Sequence, residues 1–195
     1  MWTTTDAVPP LRVAMIIGST REGRVGGAIG GWFVEHARGR GDIALQVVDL
    51  ADFSFPDRYP HEATCQMRRF TAEIARADAF VVVTPEYTRS FPASLKQAID
   101  YAYDEWRAKP AGFVSYGCGS EGVYAIEQLR AVFTELHVVT MRDSVGFNLL
   151  GDGVDGGGRP RGTDEQERAS TAMLDQLVWW GLALRAARAA RPYVA

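Results

Sequence analysis

Five stretches of the chain are apolar almost without a break. Residues 11–17 (LRVAMII), 43–50 (IALQVVDL), 79–85 (AFVVVTP), 111–117 (AGFVSYG) and 137–141 predict strands, most of them covered on both faces. Between them apolar positions recur at helical spacing. Ile29, Trp32, Phe33 and His36 mark a first helix, and residues 65–77 a second. Leu95, Ile99, Ala102 and Trp106 mark a third, with Pro92 in its first turn, Ser90 as its cap and Lys96–Asp100 as a surface pair. Ile126, Leu129, Phe133 and Leu136 make a fourth. A fifth starts near Asp164 and turns Leu174, Leu177, Val178, Gly181 and Leu182 inward. The glycine-rich segment LLGDGVDGGGRPRGT before it reads as a mobile loop.

Strands alternating with helices predict an α/β fold, a parallel sheet wrapped on both faces. Five of each is the size of the flavodoxin-like doubly wound fold, with strand order 2-1-3-4-5. Residues 1–10 read as a tail and 11–190 as a single domain. In such a sheet, ligands bind beyond the carboxyl ends of the strands where the order reverses, between strands one and three.

Composition removes several function classes. A net charge of −3 argues against general affinity for nucleic acid or anionic membranes, and no apolar run is long enough to span a bilayer. The opening MWTTTDAVPP has neither the basic nor the apolar part of a secretion signal. None of the three histidines has zinc-ligand spacing, and GDGVDGGG lacks the spacing and terminal glutamate of a calcium loop. Cys65 and Cys118 make no disulfide framework, which points to a reduced, cytoplasmic setting.

The loop after the first strand, GSTREGRVGG, is not a Walker loop, because its G-K-[ST] ending is missing. It still offers hydroxyls from Ser19 and Thr20, guanidiniums from Arg21 and Arg24, and a helix start, the donors a phosphate monoester needs. A flexible turn with solvated arginines is the plainer reading of GST alone, but two arginines at a helix start on strand one favour phosphate binding. After the fourth strand, Gly117, Gly119 and Gly122 spell G-x-G-x-x-G, with Asp143 where a ribose-binding acid would stand. Only one more strand follows, so no dinucleotide-binding half can be assembled and the match reads as coincidence.

Residues 13–18 with STR, then TPEYTRSFPASLKQAIDY, KPAGFVSYG and EQLR, resemble the NADPH-dependent FMN reductase family. The resemblance covers residues 13 to 136, roughly two-thirds of the chain. It implies an oxidoreductase that binds FMN and oxidises NADPH or NADH by ping-pong hydride transfer through the flavin N5. The acceptor would be a small molecule such as free FMN, a quinone, an azo dye or a metal oxyanion. It also implies a homodimer or homotetramer. An electron carrier that binds FMN without oxidising NAD(P)H is the alternative.

Carried over by position, the resemblance gives Ser19 and Arg21, with backbone around Arg24, Val25 and Gly26, to the FMN phosphate. Pro85, Glu86, Tyr87 and Thr88 run along the isoalloxazine ring, and Ser115, Tyr116, Gly117 and Cys118 lie against another edge. No side chain is assigned as acid or base, and Cys118 reads as a packing residue more than a redox one. Two departures stand out: Thr88 where asparagine is usual, and SEGVYA where the family has a G-G-x-R-A run, which puts Glu121 beside the flavin edge. On the last helix, Trp179 and Trp180 widen the apolar stripe, for a partner helix or a larger core. Arg185, Arg188 and Arg191 suit the helix C-terminus.

Overall fold

Every strand run pairs in parallel with its neighbours, and each finds its place through a helical crossover. The computed structural model describes residues 8–150, 154–155 and 159–194. In chain order the elements are β1 (Leu11–Ile17), α1 (Gly26–Ala37), β2 (Ile43–Asp49), α2 (Cys65–Arg76), β3 (Ala79–Pro85) and α3 (Ala93–Tyr101), then β4 (Pro110–Gly117), α4 (Val123–Glu135), β5 (Val139–Asn148) and α5 (Asp164–Ala190). The sheet runs β2-β1-β3-β4-β5, the expected doubly wound order in one domain. The first seven residues of the expected tail, and 151–153 and 156–158 of the expected mobile loop, lie outside the described residues.

The burial follows from the strand sequences. β3 and β4 are buried at every position because helices cover both their faces. β2 lies at the sheet edge and exposes Ala44, Gln46 and Val47. One core packs Phe70, Phe80, Trp106, Phe113 and Phe133 under α2, α3 and α4. The other packs Phe33, Met15, Val81, Val114 and Leu174 under α1 and α5.

Two expectations need correcting. The fifth strand runs Val139–Asn148 rather than 137–141, its continuation hidden by the polar Arg142, Asp143 and Ser144. Ser90 does not cap α3; Pro92 stands at the N-cap, with no side-chain cap bond, and the Ser90 hydroxyl donates to Gln128. The side chains of Arg185 and Arg188, the latter in the last turn of α5 as expected, reach beyond that helix. Arg185 donates to the carbonyls of Pro9 and Pro10, Arg188 to that of Ala108, and both approach Asp78, at 3.5 and 3.7 Å.

Asp78 is buried at the amino end of β3, and Arg12 grips both of its carboxylate oxygens, at 3.0 and 2.9 Å. Burial pushes its pKa up, but the bonds from Arg12 outweigh that and hold it below the usual carboxylate range. Lys96 and Asp100 pair as expected, at 2.7 Å. Trp179 and Trp180 join neither core; they stand 64% and 39% exposed on α5, edge to face with ring centres 5.0 Å apart.

Candidate functional site

The turn between β1 and α1 is shaped by bonds within the protein. The Gly18 amide donates to the Val83 carbonyl at 2.8 Å, joining the ends of β1 and β3. Ser19 is fully buried, and its hydroxyl accepts from the Tyr116 phenol at 3.1 Å. Burial pushes the Tyr116 pKa up to about 12, so at neutral pH the phenol is a donor. A Cβ at Gly26 would fall 2.3 Å from the Ser19 hydroxyl oxygen and 2.8 Å from that of Tyr116, so only glycine fits there.

The two arginines of this turn separate. Arg24 donates to both oxygens of Asp49, at 2.7 and 2.6 Å, and to the Ser19 carbonyl at 2.8 Å. Arg21 is exposed, with its guanidinium 5.9 Å from the centre of the Tyr87 ring. α1 begins with no side-chain cap and no acidic residue in its first turn, leaving its amide end open to an anion.

Beyond β3, residues 87–90 close a two-residue hairpin. The Tyr87 amide donates to the Ser90 carbonyl at 2.8 Å and the Ser90 amide to the Tyr87 carbonyl at 3.0 Å. Both central residues are left-handed, Thr88 at φ 51° and Arg89 at φ 61°. That is the type I′ pattern, which asparagine followed by glycine suits best. Position 88 thus favours asparagine for its backbone, and threonine there carries strain of about 1–3 kcal/mol. Glu86 turns away from the hairpin: its carboxylate accepts from the Ser120 hydroxyl at 2.8 Å and from the Tyr124 amide at 3.2 Å, capping α4 from a distant loop.

The G-x-G-x-x-G belongs to the tight turn that leads into α4. Gly119 and Gly122 take positive φ, at 81° and 86°. A Cβ at Gly122 would come within 2.6 Å of the Ser115 Cβ. The Ser115 hydroxyl donates to the Glu121 carbonyl at 2.6 Å, which fastens the turn. Asp143 pairs with Gln176 of α5, with no role at the ligand end of the sheet. The Glu121 side chain lies beside Gly146 of β5 and does not line the cavity described next. Cys118 is exposed and lines that cavity, so it does not pack as expected.

These three loops enclose one cavity of about 560 Å³. The β1–α1 turn contributes Arg21, Glu22, Gly23, Arg24 and Val25. β3 and its loop contribute Pro85, Glu86 and Tyr87, and the end of β4 contributes Tyr116, Gly117 and Cys118. Ser19, Gly26 and Ser115 lie behind the lining as its supports, while Thr88 is exposed at the hairpin tip and does not line the cavity. Glu22, Gly23 and Leu149 line the cavity without having been singled out in the sequence. Leu149 follows β5, where its amide donates to the Gly117 carbonyl at 2.9 Å; only the full length of β5 reveals it. No group of three potential metal ligands occurs among the described residues.

Residues 11–149 match the family model described as NADPH-dependent FMN reductase. An NAD(P)H-dependent FMN reductase of Nectria sp is 28% identical over 165 residues, covering 73% of this chain and 82% of that protein. A 2-hydroxy-1,4-benzoquinone reductase of Burkholderia sp is 30% identical over 138 residues, covering 67% and 74%. Among solved structures, the flavoenzyme NAD(P)H:(acceptor) oxidoreductase FerB of Paracoccus denitrificans superposes with a TM-score of 0.72. At 22% identity it covers 89% of this chain and 98% of that one, a likeness of fold.

Proposed function

The chain belongs to the NADPH-dependent FMN reductase family, and from that membership we propose that its cavity holds FMN and passes electrons there from NAD(P)H to a small-molecule acceptor. The protein is an NAD(P)H-dependent oxidoreductase, and the names of its relatives favour reductase over electron carrier.

The residues present suit the cofactor. A cavity of about 560 Å³ is of ordinary cofactor size. The exposed Arg21 and the uncapped start of α1 offer donors for a phosphate. Pro85, Tyr87 and Gly117 add a narrow edge of ring and backbone against which a flat heterocycle can lie. Phosphate donors and a flat edge lining the same cavity are the observation that carries the reading.

Bound FMN would supply the hydride chemistry, taking from NAD(P)H and giving to the acceptor in turn. The chain's own work is binding and orientation. Arg21 would hold the phosphate, assisted by the backbone amides at the start of α1. Arg24, engaged by Asp49 and the Ser19 carbonyl, keeps the turn in shape. The buried Ser19–Tyr116 pair supports the floor. Glu86 is occupied in capping α4, consistent with a site that needs no protein acid or base. A quinone is a suitable acceptor, by analogy with the Burkholderia relative. The exposed Trp179 and Trp180 support a homodimer or homotetramer, and two free cysteines suit a cytoplasmic setting.

The test is anaerobic addition of NADPH to the protein loaded with FMN. Bleaching of the flavin absorbance without another enzyme is expected, with recovery on adding a quinone. A flavin that binds but stays oxidised would make the protein a carrier, and no binding would remove the site.

A further inference from the structure

The strained hairpin at the cavity mouth has a holder outside the cavity. The side-chain amide of Gln128, on α4, bonds to both sides of the turn. Its Nε2 donates to the Arg89 carbonyl at 2.9 Å, and its Oε1 accepts from the Ser90 hydroxyl at 2.6 Å. One turn earlier on α4, the Tyr124 ring lies 4.0 Å beneath the Arg89 guanidinium, and the Tyr124 amide donates to Glu86. The first two turns of α4 therefore grip residues 86, 89 and 90. Tyr87, between these anchors, borders the cavity beside Arg21.

We propose that Gln128 is a positioning residue for cofactor binding: its side-chain amide holds the left-handed Thr88–Arg89 turn in the shape that presents Tyr87 to the cavity. The proposal rests on the reading of that cavity as an FMN site. Gln128 does not line the cavity, so its influence passes through the turn. Thr88 and Arg89 have little preference of their own for positive φ, so the conformation depends on what grips it. A turn built from asparagine and glycine would keep the same shape unaided, and the clamp would become redundant.

That redundancy is the test. Gln128→Ala is made in the natural protein and again in a T88N/R89G background, a double-mutant cycle between clamp and turn. Hydrogen exchange of the Tyr87 and Ser90 amides is measured on the protein alone, and FMN affinity by flavin fluorescence. In the natural background, Gln128→Ala should speed that exchange about tenfold and weaken FMN binding about fivefold, the loss of two exposed hydrogen bonds. In the Asn-Gly background both effects should shrink below twofold. Unchanged exchange after Gln128→Ala, or equal losses in the two backgrounds, would overturn the proposal. If the natural protein fails to bind FMN, the cavity reading falls, and the exchange cycle still decides whether Gln128 holds the turn.

Discussion

Arg21 and Arg24 stand three residues apart in one loop and do different things. Arg24 is engaged on three oxygens, whereas Arg21 is exposed beside Tyr87. Arg21→Ala should therefore weaken FMN binding more than tenfold, by loss of a charge-assisted phosphate contact, while unfolding stability stays within about 0.5 kcal/mol. Fluorescence titration and urea unfolding measure the two. Unchanged affinity would remove Arg21 from the phosphate site, and a large stability loss would make it structural. Read from the loop's own residues, both arginines are equal candidates, because the partner that claims Arg24, Asp49, lies 25 residues further on. Glu86 hid its role for the same reason: its bonds reach residues 120 and 124. Local spacing carries no trace of such long-range partners.

At the scale of elements, the apolar strands were legible and the polar half of β5 was not. β3 and β4 are unbroken apolar runs, whereas β5 passes through Arg142, Asp143 and Ser144 before ending at Asn148. Its register against β4 shifts between Ala111 and Phe113, where Gly112 makes room for Met173 of α5. The last helix was legible in its inward stripe, but not in how closely it sits. A Cβ at Gly181 would lie 2.4 Å from one Leu11 methyl carbon and 2.8 Å from the other. Gly181→Ala should overpack α5 against β1 and cost about 1–3 kcal/mol. Calorimetry should show that as a melting point lowered by several degrees. An unchanged or higher melting point would mean that Leu11 yields without cost.

At the scale of the molecule, strand order followed from the alternation of strands and helices, a property of the whole pattern. Assembly did not, because an apolar helix surface reads alike whether core or partner covers it. With Trp179 64% exposed and Trp180 beside it, the single chain leaves that surface open. Replacing both with glutamate should convert a dimer or tetramer into a monomer, with circular dichroism unchanged. Light scattering coupled to size exclusion measures this, and assembly that survives the double substitution would put the interface elsewhere.

The buried Asp78, at the opposite end of the sheet from the cavity, sets an order of failure in acid. Its carboxyl titrates below the usual range, so its contribution is present above about pH 4 and is lost as pH falls through the lower folded value. Protonation would leave Arg12, Arg185 and Arg188 converging without a counter-charge. The last turns of α5 and the tether at Pro9 and Pro10 should then loosen before β3 and β4 do. The molecule would come undone from its far end inward, with its ligand end the last to dissolve. Amide protection mapped along a falling pH series would expose that sequence of events, and simultaneous loss at both ends would refute it.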